Sequence, residues 1–316
     1  MSEGPQAVGV DVGGTKTAAV RISATGAVLA RESLLTPAED MQATLDTTVR
    51  AARAVLTPDV RAIGIGAAGL VEAGTGRLTF APNLAWRNAP LVEHMWGAVG
   101  IPTVADNDNN AAAWGEYRLG VGRGCSHLLF VGVGTGIGGG IVVDGTLFRG
   151  AHGFAAEIGH IIVEPGGPLC GCGNHGCWEQ LASGHAVTRA GREAARQHPQ
   201  SMIARRCAGD PARVTGPLVT ECARAGDPVA RGILAEVGKR LGEGIAGLVN
   251  VLDPEIVAVG GGAAAAGDLL LEPARVAFEG AVEAAAHRPT VPVVAASLGA
   301  EAGAIGAAML ALDQLT

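Results

Sequence analysis

One pattern occurs twice in the chain and restricts its fold more than any other feature. An apolar strand, a glycine-rich turn and a second apolar strand read VGVDVGGTKTAAV from residue 8 and FVGVGTGIGGGIVV from residue 130. A doubled unit implies two related halves. Around it, apolar segments with strand character recur at 6–12, 17–23, 27–33, 60–66, 101–105, 127–133, 140–143 and 255–259. Amphipathic or alanine-rich segments at 40–56, 109–119, 178–197, 228–252 and 301–314 suit helices. This alternation is that of an α/β protein. The stretch 198–217, with Pro199, Gly209, Asp210, Pro211, Gly216 and Pro217, reads as loops joining helices of the second half. At 316 residues and 48% apolar content, the chain can build a core in each half.

Charge and patterning exclude several classes. A formal net charge of -7, with no dense Lys/Arg run to offset it, argues against binding nucleic acid by neutralising phosphates. The chain passes from MSEGPQ directly into the alternating AVGVDV, without a basic and then apolar leader. Nowhere do as many as about 18 apolar residues run uninterrupted. The expectation is a soluble cytoplasmic protein with no membrane partner. The 49 glycines, against 3% aromatic residues, suggest tight turns and close backbone approach.

The glycine-rich segments are candidates for holding phosphate. Gly134, Gly136 and Gly139 satisfy G-x-G-x-x-G. That pattern marks a dinucleotide fold only where it follows a strand and opens a helix, and here IVVDG continues as a strand. A P-loop is excluded because G-x-x-x-x-G-K-[ST] does not occur. What remains is a pair of hairpin turns whose backbone N–H groups can form an anion-binding nest. Lys16 and the hydroxyls of Thr15 and Thr135 add donors.

Two further clusters carry chemistry. The segment CGCGNHGCWEQ, residues 170 to 180, holds three of the six cysteines. In a reducing compartment such crowding goes with metal binding or chemistry more often than with disulfides. His160, Cys170, Cys172 and Cys177 together fit tetrahedral Zn²⁺, and the alternative is three buried thiols in a compact loop. DNDNNAAAWGEYRLG, residues 106 to 120, begins at the end of a predicted strand and enters a helix. Asp108 there suits an N-cap, and a helix N-terminus also stabilises an ionised carboxylate able to accept a proton.

Taken together, DVGGTK at 11–16, GVGTGIGGG at 132–140, EIGH at 157–160, CGCGNHGC at 170–177 and GGG at 260–262 resemble the ROK family (repressors, open reading frames and kinases). The resemblance covers essentially the whole chain, in order. It implies an actin-like (ribonuclease H-like) two-domain sugar kinase fold with a zinc-binding loop, binding ATP in a cleft with the sugar beside it. The domains expected are 1–107 plus 301–316, the smaller, and 108–300, the larger and zinc-bearing. It implies that Asp11, Gly13, Gly14, Thr15 and Lys16, with Gly134, Thr135 and Gly136, hold the phosphates, and that Gly260, Gly261 and Gly262 lie near the adenosine.

The same resemblance makes His160, Cys170, Cys172 and Cys177 ligands of a structural zinc. It makes Asp108 the general base and Asn107, Glu157, His160 and Glu179 sugar ligands, with Gly69 and Asn83 as further sugar-site candidates. The family pattern is N-D-x-N with alanine common after the Asp; this chain has Asn109 there. The activity implied is phosphorylation of a hexose by ATP with Mg²⁺, expected to be glucose at its 6-hydroxyl, by a homo-oligomer, dimer or tetramer. An N-acetylhexosamine (GlcNAc or ManNAc) is the alternative substrate, and a non-catalytic sugar sensor the alternative role. A repressor of this family carries an N-terminal helix-turn-helix, whereas here the phosphate hairpin begins within fifteen residues of the start.

Overall fold

The computed structural model describes residues 4–81 and 86–315. In chain order its strands are β1 (Gln6–Val12), β2 (Lys16–Ile22), β3 (Val28–Leu35), β4 (Val60–Ala67), β5 (Leu70–Val71), β6 (Leu78–Phe80), β7 (Arg87–Ala89), β8 (Thr103–Asn107), β9 (Leu128–Val133), β10 (Ile137–Val143), β11 (Thr146–Leu147), β12 (Ile256–Gly260) and β13 (Val293–Ala295). The α-helices are α1 (Met41–Val55), α2 (Leu91–Val99), α3 (Asp108–Arg118), α4 (Glu179–Ala182), α5 (Gly184–Gln197), α6 (Met202–Arg206), α7 (Gly216–Arg224), α8 (Pro228–Leu252), α9 (Asp268–Ala281) and α10 (Ala302–Asp313).

The duplication seen in the sequence is a duplication of sheet topology. One five-stranded sheet has the order β3-β2-β1-β4-β8 and the other β11-β10-β9-β12-β13, so each hairpin with its flanking strands occupies the same place in its sheet. In the first sheet β1 pairs antiparallel with β2 and parallel with β4, in register Gly9↔Gly64 and Asp11↔Gly66. In the second, β10 and β11 are antiparallel and β12 and β13 parallel. Central β1 is buried along almost its whole length, whereas edge strand β3 alternates half-buried and exposed residues, as a one-sided strand does.

Two compact units result: residues 1–130, 139–156 and 296–316, and residues 131–138 and 157–295. The division falls elsewhere than at 107/108, because α3 lies with α10 in the first unit. Glycines permit that closeness: a Cβ at Gly306 would stand 1.7 Å from the Ala111 carbonyl oxygen. Likewise α10 lies on β1 and β4 with backbone against backbone, since a Cβ at Gly9 or Gly64 would come within 1.8 Å of a carbonyl oxygen of α10. Nearly every residue of α10 is buried, as expected for a helix apolar on all sides.

Several local expectations are corrected. The stretch 198–217 is not only loop: Ser201 caps α6, Asp210 caps a 3₁₀ turn with Pro211 at its start, and Thr215 caps α7. The proposed helix 178–197 is broken at Ser183, which is extended and caps α5 through its side chain. The three-stranded sheet β5-β6-β7, α2 and α9 were not anticipated. Their strands are two or three residues long, too short to show a period. Asn83 lies outside the described residues. Among those described, no helix is long and apolar enough to cross a membrane.

Candidate active site

In the first unit, the hairpin between β1 and β2 is closed by the Gly13 N–H donating to the Lys16 carbonyl at 3.0 Å, and Thr15 accepts from the Thr36 N–H at 3.1 Å. Thr15 and Lys16 are exposed at the turn. Asp11, on β1, lies against the first turn of α10, where a Cβ at Gly303 would be 2.9 Å from its Oδ2. Burial, with the nearby Asp108 carboxylate adding, pushes the Asp11 carboxyl up to about 7, against the pull of Lys16.

Asp108 is the first residue of α3, and Asn107 is the cap. The Asn107 side-chain oxygen accepts from the Asn109 N–H at 2.8 Å and the Asn110 N–H at 3.2 Å. Its Nδ2 donates to the Gly69 carbonyl at 3.1 Å, so two sequence-predicted residues meet directly. Gly69 is required by its own backbone: φ is 138°, and a Cβ would stand 2.3 Å from the Phe80 carbonyl oxygen. Burial raises the Asp108 carboxyl above its ordinary value, and hydrogen bonds from Asn109 oppose the rise.

Behind this junction stands a pair that sequence reasoning missed. Asp106, almost fully buried, accepts from Arg149 Nε at 2.6 Å through one oxygen. Its other oxygen accepts from the Asn107 N–H at 2.8 Å and from Asn110 Nδ2 at 2.9 Å. The only sequence signal was an acid beside the predicted cap, with its partner 43 residues away.

In the second unit, the Gly134–Gly136 hairpin is closed by Gly134 N–H to Gly136 O at 3.0 Å and is followed by β10. It is held from outside by α5, whose Gly184 and His185 N–H groups donate to Gly134 O and Thr135 O. A Cβ at Gly134 or Gly262 would meet nothing within 4 Å. The protein itself does not require glycine at either place, as expected where a ligand approaches bare backbone. Gly261 differs: its φ is 87° and a Cβ would be 2.5 Å from the Val133 carbonyl oxygen. Beside this hairpin lies a cavity of about 630 Å³, lined among others by Thr135, Thr188, Thr215, Glu221, Arg224 and Gly262. Gly260, at the end of β12, does not line it.

The cysteine loop lies in the same unit. One donor atom each of His160, Cys170, Cys172 and Cys177 falls within 4.8 Å of the other three. Cys172 Sγ and Cys177 Sγ are 3.6 Å apart, as are Cys170 Sγ and His160 Nδ1. A tetrahedral Zn²⁺ with Zn–S bonds of about 2.3 Å has S···S edges of about 3.8 Å, so the donor set fits that ion. Burial pushes the Cys170 thiol up to about 12, with Glu179 adding to the rise. Crowded sulfurs that resist ionising together are what a bound dication relieves.

The loop also orders two carboxylates. Ile158–His160 is a 3₁₀ turn, which brings residues three apart onto one side, and His160 Nε2 lies 3.9 Å from Glu157 Oε2. The ring therefore presents Nδ1 to the sulfurs and Nε2 to Glu157. Cys170 Sγ donates to Glu179 Oε1 at 3.0 Å. Glu179 Oε2 in turn fills the space where a Cβ of Gly136 would be, 2.2 Å away. Hairpin, carboxylate and cysteine loop thus form one packed group.

Comparison with known proteins agrees with this geometry. The chain is 42% identical to a glucokinase of Streptomyces coelicolor over 310 residues, covering 97% of each protein, and 35% identical to a glucokinase of Thermotoga maritima over 315 residues, covering 98% of each. Its structure matches that of a ROK family glucokinase from Streptomyces griseus in complex with glucose and AMPPNP, at a TM-score of 0.88 and 41% identity, covering 98% of this chain and 99% of that one. The ROK family model itself matches residues 7–314, and the chain belongs to the ROK family.

Proposed function

We propose that the protein transfers the γ-phosphoryl group of ATP to the 6-hydroxyl of glucose, giving glucose 6-phosphate and ADP. The observation that carries this reading is the likeness, along almost the whole chain, to a glucokinase described with glucose and AMPPNP. The chemistry required is available from this chain's own residues. Phosphoryl transfer passes through a loose transition state and depends mainly on alignment and charge stabilisation. The backbone N–H groups of Gly13, Gly14, Thr15, Gly134, Thr135 and Gly136, with Lys16, serve the phosphate oxygens. ATP enters with Mg²⁺, and Asp11 orders water around that ion.

Asp108 orients the 6-hydroxyl and takes its proton. Asn107, Glu157, His160 and Glu179 hold the other hydroxyls. The cavity beside Thr135 takes the nucleoside, with Gly262 in its lining. His160 Nδ1, Cys170, Cys172 and Cys177 hold zinc, which with four protein ligands has no open position and acts structurally. The test is ADP release coupled to an indicator reaction, with glucose and 6-deoxyglucose compared. Glucose should turn over. The deoxy sugar lacks the nucleophile and should only inhibit; ADP release that ignored the 6-hydroxyl would overturn the reading.

A further inference from the structure

The start of α3 is bonded on every side except at one group. Asp106 fixes the Asn107 N–H, Arg149 fixes Asp106, and the Asn107 side chain fixes the next two N–H groups. The backbone of Asn109 is further held against β10, where a Cβ at Gly140 would stand 2.7 Å from its carbonyl oxygen. What the frame leaves soft is rotation of the Asp108 carboxylate about its own side-chain bonds. Its two oxygens are chemically equivalent until something distinguishes them.

Asn109 makes that distinction. Its backbone N–H and its side-chain Nδ2 both donate to Asp108 Oδ1, each at 2.9 Å. Among the described residues, both hydrogen bonds that another residue gives to the Asp108 carboxylate end on Oδ1. A carboxylate oxygen has about two lone-pair sites, so the chelate occupies Oδ1 and leaves Oδ2 as the acceptor. The asparagine is not there for the helix. Asn is a poorer helix former than Ala, and the Asn109 side chain does not supply the cap, which is Asn107.

We propose that Asn109 is a positioning residue for the phosphoryl-acceptor hydroxyl: its side-chain amide locks the Asp108 carboxylate with Oδ1 engaged and Oδ2 presented to the sugar. The proposal rests on Asp108 acting as the base. The same amide stabilises the ionised carboxylate against its burial, with Asp11 on β1 as the charged neighbour and Lys16 on β2 acting in turn on Asp11. Losing it lets the carboxyl pKa rise. A base must be ionised to act, so the acidic limb of the rate profile then moves to higher pH.

The experiment compares Asn109→Ala, Asn109→Asp and Asp108→Asn by kcat, KM for glucose, the pH profile of kcat/KM and Tm. Asn109→Ala is expected to lower kcat at neutral pH about tenfold, as for loss of a hydrogen bond to a charged group, with KM for glucose within about twofold. Its acidic limb should move to higher pH and its Tm should hold. Asn109→Asp, which sets a like charge beside the base, should move the limb further the same way. Unchanged kcat and an unmoved limb in Asn109→Ala, with Asp108→Asn inactive, would overturn the role of Asn109 and leave the base standing. Loss of activity in step with Tm, with the limb unmoved, would overturn it in favour of a merely structural residue. An active Asp108→Asn would remove the base itself, and the proposal with it.

Discussion

Two regions of this molecule hold carboxylates for what we read as one reaction, and they do it by different means. Asp108 stands on a regular element, at the junction of β8 and α3, where a cap, strand register and a partly buried ion pair define the backbone. Glu157 and Glu179 flank a segment, 161–178, whose only ladder contacts are the isolated bridges Ile162↔Cys177 and Leu169↔His175. A helix start carries its own hydrogen-bond frame. The loop has turn bonds of its own, such as Cys170 N–H to Asn174 O at 2.8 Å and Gly176 N–H to Pro168 O at 2.9 Å, but no helix or long ladder, and we read the cysteine-histidine cluster as the side-chain cross-link added to them. On the proposed reading, metal serves where secondary structure runs out, not where the proton moves.

The largest test of the contrast removes the cross-link. Wild-type protein purified without chelator should contain one zinc per chain by metal analysis, and Cys172→Ser none. Its kcat/KM for glucose should fall about 100-fold or more, through displacement of Glu157, His160 and Glu179. If Cys172→Ser kept its activity, the loop would hold itself as α3 does and the contrast would disappear.

A smaller effect should follow from Gly136→Ala, which touches no metal ligand. The new Cβ would occupy the place of Glu179 Oε2, and kcat/KM for glucose should fall roughly tenfold with the zinc content unchanged. Loss of zinc in this variant would show that hairpin and loop are less separable than described.

The smallest effect concerns the regular region and is one of stability. Asp11 has a folded-state pKa of about 7 against an ordinary 3.8, so the folded chain keeps a proton that the unfolded chain releases. Stability is therefore lost as pH rises through that window, and the loss is complete above it. Asp11→Asn should raise the Tm of the ligand-free protein by about 2–4 °C at pH 8, and leave it unchanged near pH 4. A lower Tm at pH 8 would show that ionised Asp11 stabilises the empty fold.

Much of this could be read from the chain because the decisive signals were local. The doubled hairpin predicted two related halves, which the structure has as a repeated sheet order, and the cysteine spacing with His160 predicted a cluster that the structure brings together. The helix start was legible to within one residue: the cap expected at Asp108 falls on Asn107, and Asp108 opens the first turn. What escaped was assembled from distant parts. The cavity draws Thr188 from α5, Glu221 and Arg224 from α7, and Gly262 from the turn after β12, none of them part of one motif. Arg149 lies in a loop with no period of its own, and only the fold brings it to Asp106. Gly69 was named as a sugar-site candidate, whereas its need for glycine and its carbonyl's bond to Asn107 are tertiary facts.

The account stands or falls on Asp108 as the group that takes the sugar's proton. The direct measurement is steady-state turnover of Asp108→Asn with ATP and glucose, alongside glucose affinity by titration. We predict a kcat reduced by about 10³ or more, with affinity within about tenfold of wild type, because the amide keeps the shape and loses the proton acceptor. A variant that keeps more than about a few per cent of wild-type kcat, well above what loss of a general base allows, would contradict the account.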